Sequence, residues 1–93
     1  MTYQDEKVRW RITVRGDVQA VGFRSRAKYA AEALGLCGWV KNEWDESVIL
    51  EVQGNPSIIR EMLDMVESSR YIHINQVSYV EVPLQAEGGF HIR

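Results

Sequence analysis

Hydrophobic and polar positions alternate near the start of the chain and again towards its end. In VRWRITV, residues 8–14, every second side chain is apolar, which is the period of a strand with one buried face. The segment INQVSYVEV, residues 74–82, alternates less regularly, and FHIR follows Gly88 and Gly89 as a short last segment of the same kind. The pattern therefore predicts a first strand, a late strand and a short C-terminal strand.

Two other segments repeat their apolar positions with the period of a helix. Between Ser25 and Leu34 small apolar residues form one stripe, and Gly35 is a typical C-terminal stop, so we predict a first helix there. Asn55 followed by Pro56 is a helix start, because asparagine caps free amides and proline suits the first helical position. We expect this second helix to end at about Ser69. Its apolar stripe consists of Ile58, Ile59, Met62, Leu63 and Val66.

Between the two helices lies a predicted hairpin. GWVKNE, residues 38–43, and SVILEVQG, residues 47–54, are the strands, and Trp44, Asp45 and Glu46 form the turn. The order βαββαβ with an extra strand indicates an α/β (α+β) ferredoxin-like sandwich, in which one mostly antiparallel sheet carries both helices on one face. Enzymes, RNA binders and metal-binding modules all use this fold, so the fold alone does not assign a function.

Composition restricts the classes of function. The chain has 93 residues, for which we expect a short tail at 1–7 and a single domain at 8–93. A formal charge of −2 gives no overall attraction to nucleic acid or to an anionic membrane. Cys37 is the only cysteine, which excludes an internal disulfide and a cysteine-cluster metal site. With no apolar signal-peptide core and no apolar patch evident, we expect a cytoplasmic monomer without a membrane segment.

The histidines, the cysteine and one tryptophan favour structural roles. His73 and His91 stand without nearby ligand partners, so we expect neither a metal nor a cofactor there. Cys37 is expected to be a small buried side chain rather than a nucleophile. Trp10, although arginines flank it, shares the strand period of Ile12 and is expected to pack under a helix.

The loop GDVQAVGFR, residues 16–24, is the strongest candidate for chemistry. Because it joins a strand end to a helix start, successive backbone N–H groups point to one spot, where the positive end of the helix dipole adds to them. Gly16 and Gly22 permit unusual dihedrals, and the guanidinium of Arg24 matches phosphate or carboxylate oxygens. Two interpretations stay open on the residues alone: an anion site, or an ordinary glycine-containing turn beside a solvated arginine.

Two separated motifs in order resemble those of the acylphosphatase family. VRGDVQAVGFR, residues 14–24, resembles the family's loop, in which a glycine, a Val-Gln-Gly-Val core and a Phe-Arg ending recur at this spacing. GWVKNEWDESV, residues 38–48, resembles the second motif, in which an aromatic residue and Lys-Asn follow glycine. LGLCGWVKN, the pair Gln53-Gly54 and the ending FHIR add to a likeness that covers residues 8–93.

The resemblance implies an enzyme that hydrolyses small acyl phosphates, which are carboxyl-phosphate anhydrides, to a carboxylate and inorganic phosphate without a metal or cofactor. It implies that Arg24 binds the phosphoryl group and that Asn42 positions the attacking water. The loop backbone completes an anion site that also suits phosphate and other small anions. Its members are Gly16, Asp17, Val18, Gln19, Ala20, Val21 and Gly22.

Two residues depart from the family pattern, which usually has glycine at both positions. If Ala20 has a positive φ, alanine costs roughly 1 kcal/mol and misaligns an amide of the cradle. Glu46, in the hairpin turn, is expected to affect turn stability rather than catalysis.

Three functions therefore remain for the chain. The first is a working acylphosphatase, and the second is an acylphosphatase-like anion-binding domain with poor turnover, which Ala20 favours. The third is a sheet-type RNA-binding module, which requires aromatic-rich central strands and a basic face that this sequence does not display. Neither the physiological acyl phosphate nor a pocket for the acyl group is evident from the residues.

Overall fold

The computed structural model describes residues 6–93. Of the expected tail at 1–7, residues 1–5 lie outside the described residues, and Glu6 and Lys7 are exposed and irregular. Every predicted helix and strand is present in the predicted order, although the first helix begins two residues earlier and the second ends about two residues earlier than expected. The elements are β1 (Val8–Asp17), α1 (Phe23–Ala33), β2 (Cys37–Asn42), β3 (Val48–Gly54), α2 (Pro56–Glu67), β4 (His73–Val82) and β5 (Phe90–Ile92).

The five strands form one sheet in the order β4-β1-β3-β2-β5. All neighbouring pairs are antiparallel except β2 and β5, which are parallel. Both helices cover the same face, where alanines of α1 and the apolar stripe of α2 share one core with residues such as Ile12, Val40 and Leu50. The expected ferredoxin-like sandwich is confirmed, and the small alanines let α1 lie close to the sheet.

The opposite face of the sheet is buried at Arg9, where the sequence predicts a polar, solvent-facing strand position. The side chain of Arg9 is fully buried, and its Nε and Nη2 donate to carboxylates of Glu51 and Glu87, each at 2.7 Å. Glu87 belongs to the segment 83–89, which folds back over the sheet and exchanges two hydrogen bonds between Gln85 and Gln53. Arg9 is therefore buried because this segment closes over it with paired charges.

The Glu51 carboxylate should make the stability of the fold depend on pH. Burial alone would raise its pKa, but hydrogen bonds and charges from Arg9 and Arg11 hold the pKa below its usual range. A carboxyl whose pKa is lowered by folding adds stability above its unfolded pKa and loses it as the pH falls through the folded value. We therefore expect the free energy of unfolding, measured in urea, to decline with acidification less steeply in Glu51→Gln than in the wild type. Glu61→Gln, an exposed change on α2, is the control, and parallel profiles for Glu51→Gln and wild type would contradict the role of this carboxylate.

Of the predictions for Trp10 and Cys37, the structure agrees with the first and contradicts the second. Trp10 packs under a helix as predicted, because the guanidinium carbon of Arg60 on α2 lies 5.3 Å from its ring centroid and Tyr79 meets it edge-on. Cys37 is half-buried rather than buried, with Sγ 3.9 Å from the carbonyl oxygen of Gln53. The expectation of a buried cysteine is therefore wrong, because β2 presents Cys37 on the sheet face away from the helices.

Candidate active site

The loop after β1 depends on two glycines for different reasons. The register of β1 against β4 shifts between Arg15 and Gly16, and Gly16 has φ 137°. A Cβ there would lie 2.2 Å from the backbone oxygen of His73, so only glycine permits this approach. Gly22 has φ 83° and caps the start of α1, in open space, so its backbone conformation alone favours glycine.

Ala20 and Glu46 occupy left-handed backbone conformations, with φ 60° and 73°. Within residues 6–93 they are the two non-glycine residues with positive φ, and they are the two positions at which the resemblance led us to expect glycine. The backbone at Ala20 therefore has a conformation that favours glycine, and the alanine side chain adds strain. For an L-residue this conformation costs roughly 1 kcal/mol.

Replacing Ala20 by glycine should remove that strain. We expect Ala20→Gly to raise the free energy of unfolding by about 1 kcal/mol, as measured by urea denaturation with an unchanged dependence on denaturant. The matched control is Ala33→Gly, an exposed alanine of α1 in ordinary helical conformation, which should lower stability by up to about 1 kcal/mol. A loss of stability in Ala20→Gly would show that the left-handed conformation at this position is not strained.

Backbone amides are free along the whole loop and into the helix. Within the described part of the chain, no turn or loop backbone hydrogen bond has its donor between Val18 and Gly22. No side chain caps α1, and its first hydrogen bond runs from the amide of Arg26 to the oxygen of Gly22, so the amides of residues 23–25 have no helical partner. These donors lie at the positive end of the helix, which is an arrangement that binds anions.

Gln19 ties the loop to the neighbouring hairpin. Its Nε2 donates to the backbone oxygens of Glu43 and Ser47, at 2.7 and 2.8 Å, on either side of the β2–β3 turn. Sequence reasoning places Gln19 only among the backbone donors of the cradle. The tether could not be found from spacing, because its acceptors exist only once β2 and β3 pair.

The hairpin turn is itself held by Asp45. Its Oδ1 accepts hydrogen bonds from the hydroxyl and the amide of Ser47, at 2.6 and 3.1 Å, and Arg15 pairs with its other oxygen at 3.1 Å. The hydroxyl of Ser47 first, then its amide and the guanidinium of Arg15, lower the pKa of Asp45 to about 2. These contacts hold the turn next to the loop, and Asp45 stays charged down to a lower pH than an ordinary aspartate.

Asn42 lies at the same end of the sheet as the loop. Both β1 and β2 run antiparallel to β3, so they are parallel to each other and both end where α1 begins. In the register, Asn42 pairs with Val48 and Val48 with Val14, and both valines are fully buried under the helices. Since directly paired residues share a face of the sheet, Asn42 lies on the helix-covered face.

The side chain of Asn42 carries an unused acceptor. Its Oδ1 is buried and has no hydrogen-bond partner within the described part of the chain, 6–93. Such unpaired buried atoms are uncommon and cost free energy, so each one calls for an explanation. A polar atom that a substrate or water must reach is one such explanation.

Arg24 is the second residue of α1, and its own amide belongs to the run without a helical partner. It is half-buried and takes part in none of the ion pairs found among residues 6–93, although Arg9, Arg11 and Arg15 all do. Its guanidinium is therefore not committed to a carboxylate of the fold. The chain itself places Arg24 next to the loop amides, and the sheet places Asn42 at the same edge as the loop.

A cavity of about 530 Å³ adjoins the loop. Six of the seven predicted cradle residues, Gly16 to Val21, line it together with Glu46 and Tyr71, whereas Gly22, Arg24 and Asn42 do not. Sequence reasoning gave Glu46 a role only in the turn and did not single out Tyr71. No local signal marks Tyr71, because it reaches the loop only through the pairing of β4 with β1.

Within residues 6–93 no three side chains of the types His, Cys, Asp or Glu come together as a metal site. Neither helix in this range is long and apolar enough to cross a membrane.

Comparison with known proteins gives consistent matches. A family model described as acylphosphatase matches residues 10–92. An acylphosphatase of Synechococcus sp. (strain CC9311) is 33% identical over 88 residues, which cover 94% of this chain and 98% of that protein. The crystal structure of acylphosphatase from Bacillus subtilis superposes with a TM-score of 0.85 at 31% identity, covering 92% of this chain and 98% of that one. An acylphosphatase structure from Coxiella burnetii has the same TM-score at 27% identity and covers 99% of this chain and 100% of that one.

Proposed function

The chain belongs to the acylphosphatase family, and we propose that it hydrolyses acyl phosphates with the phosphoryl group held by Arg24 and the loop amides and the attacking water positioned by Asn42. The observation that carries this proposal is the unbroken run of free amides from Val18 into the uncapped start of α1, with Arg24 unpaired beside it. This arrangement offers many donors to one small anion with several oxygens.

The phosphoryl group is stabilised by donors that are in place before the substrate arrives. Charge spreads over the equatorial phosphoryl oxygens during transfer, and fixed amides with a forked guanidinium match these oxygens. The tether from Gln19 to the hairpin holds the amides in position, so little reorganisation is needed in the transition state.

Asn42 positions the attacking water. Its Oδ1, at the end of β2, is buried without a partner in the described residues. In this proposal it accepts a hydrogen bond from a water bound in the site, which orients the water oxygen towards phosphorus. The new bond forms between that oxygen and phosphorus, the bond from phosphorus to the carboxyl oxygen breaks, and the carboxylate leaves with the electron pair. The phosphate itself takes up the proton, so the mechanism needs no dedicated base, metal or cofactor.

The anion-binding domain with poor turnover is the second candidate, and the geometry at Ala20 bears on it. Alanine at this position adopts the left-handed conformation that glycine would adopt, so the amide is not displaced by a change of backbone region. The cost falls on stability instead, which favours the working enzyme.

The RNA-binding alternative requires a sheet face with free aromatic and basic side chains. Here the guanidinium of Arg93 lies 4.7 Å from the ring centroid of Trp39, and Arg11 and Lys41 pair with acidic residues. We therefore propose no nucleic-acid partner. We further propose a single domain at 8–93 that acts as a monomer without a membrane partner; the single Cys37 fits the reducing cytoplasm.

A titration with inorganic phosphate tests the proposed anion site. In amide NMR spectra of the ¹⁵N-labelled protein, we expect the largest shifts at residues 18–25, and we expect Arg24→Ala to bind at least about tenfold more weakly. Arg60→Ala is the control of equal charge on α2, next to Trp10 and away from the loop, and should bind normally. Shifts confined to another surface, or equal affinities in all three proteins, would contradict the proposed site.

A further inference from the structure

The cavity beside the loop extends beyond the cradle that forms one of its walls. Six cradle residues, Gly16 to Val21, line it, and Tyr71, just before β4, and Glu46, in the β2–β3 turn, complete the lining. Asn42 and Arg24 do not line it. About 530 Å³ is therefore open next to the residues proposed to hold the phosphoryl group.

Attacking and leaving oxygens are roughly in line in phosphoryl transfer. If water approaches phosphorus from the side of Asn42, the acyl oxygen therefore leaves on the opposite side. Asn42 does not line the cavity, so an acyl group in this space leaves the residue proposed to orient water in place.

The lining of the cavity is negatively charged. Asp17 and Glu46 supply two exposed carboxylates, and none of the eight lining residues is cationic. Arg15, which directly precedes the loop, is paired with Asp45. Tyr71 is exposed and offers an aromatic surface to the same space. The cavity therefore repels a second negative charge on a substrate and accommodates an apolar or aromatic group.

We propose, on the basis of the proposed function, that the acyl group occupies this cavity and that Glu46, assisted by Asp17, selects against acyl groups with a negative charge. The substrates are then acyl phosphates whose acyl part is neutral or positively charged, and Tyr71 packs against it. Glu46 is a specificity-determining residue in this account, because it lines the cavity from the turn beside the loop.

Two substrates of similar shape test the selection: benzoyl phosphate and 4-carboxybenzoyl phosphate, compared by kcat/KM at low ionic strength. The wild type should prefer the first. Glu46→Gln, which keeps the size of the side chain, should reduce that preference about three- to tenfold, and about 1 M salt should reduce the difference between the two proteins. Asp17→Asn should act in the same direction, while Glu61→Gln, an equal charge change on α2, should leave the preference unchanged.

The possible outcomes distinguish failure of this inference from failure of the proposed function. Hydrolysis of both substrates with the same preference in wild type and Glu46→Gln overturns the role of Glu46 and leaves the enzyme intact. Hydrolysis of neither substrate by wild type overturns the proposed function and the inference with it. Tyr71→Ala should raise KM for benzoyl phosphate more than for acetyl phosphate, and an equal effect on both would remove the acyl group from this cavity.

Discussion

Replacing Arg24 by alanine is expected to lower kcat/KM for benzoyl phosphate by about a thousandfold while the protein stays folded. The guanidinium is the cationic donor that the structure leaves unpaired beside the loop amides, and loss of one such donor to a transition-state charge costs about 10²- to 10³-fold. Loss of a permanent charge adds to this. Because Arg24 forms no ion pair in the described residues, its removal should leave the free energy of unfolding nearly unchanged.

Two variants make this prediction specific. Arg24→Lys keeps the charge but loses the planar fork, so it should recover only part of the activity. Arg60→Ala removes an arginine from the other helix and should retain full activity. If Arg24→Ala keeps activity within a few-fold of wild type, the phosphoryl group is held elsewhere.

Asn42→Ala is expected to lower kcat about a hundredfold and to leave the protein at least as stable as the wild type. The rate falls because the water loses the group that orients it. Stability is kept because the mutation removes a buried acceptor that no group in the described residues satisfies, and such an atom costs about 1–3 kcal/mol. Steady-state kinetics and urea denaturation of the same preparation measure the two effects.

Asn55→Ala provides a control with the opposite signature. Asn55 caps α2, and its Oδ1 accepts a hydrogen bond from the amide of Ser57 at 2.9 Å. Its loss should lower stability by about 1 kcal/mol and leave kcat unchanged. Should Asn42→Ala behave like Asn55→Ala, less stable and fully active, then Asn42 is a structural residue and not part of the chemistry.

The features that follow from local sequence were predicted correctly. Alternation and helical spacing are properties of single segments, so they gave the element order, and Asn55-Pro56 gave the start of α2. The glycines of the loop were also recognisable, since Gly16 and Gly22 both have the positive φ that their positions indicate. At Ala20 the sequence raised the question of strain, and the backbone conformation was needed to answer it.

What was missed depends on residues that are far apart in the chain. Arg9 appears as a solvent-facing position because its partner Glu87 follows 78 residues later. The backbone oxygens that accept from Gln19 come together only when β2 and β3 pair. Tyr71 reaches the cavity only through the pairing of β4 with β1. In each case the position of a side chain is set by the sheet and not by its own segment.

The most direct test of the account is hydrolysis of benzoyl phosphate in water labelled with ¹⁸O, with a chelator present to remove metal ions. The account predicts enzyme-dependent release of phosphate that carries one ¹⁸O and of benzoate that carries none, because water attacks phosphorus. It also predicts that Arg24→Ala and Asn42→Ala abolish nearly all of this release. Label in the benzoate, or no release above the uncatalysed rate, would contradict it.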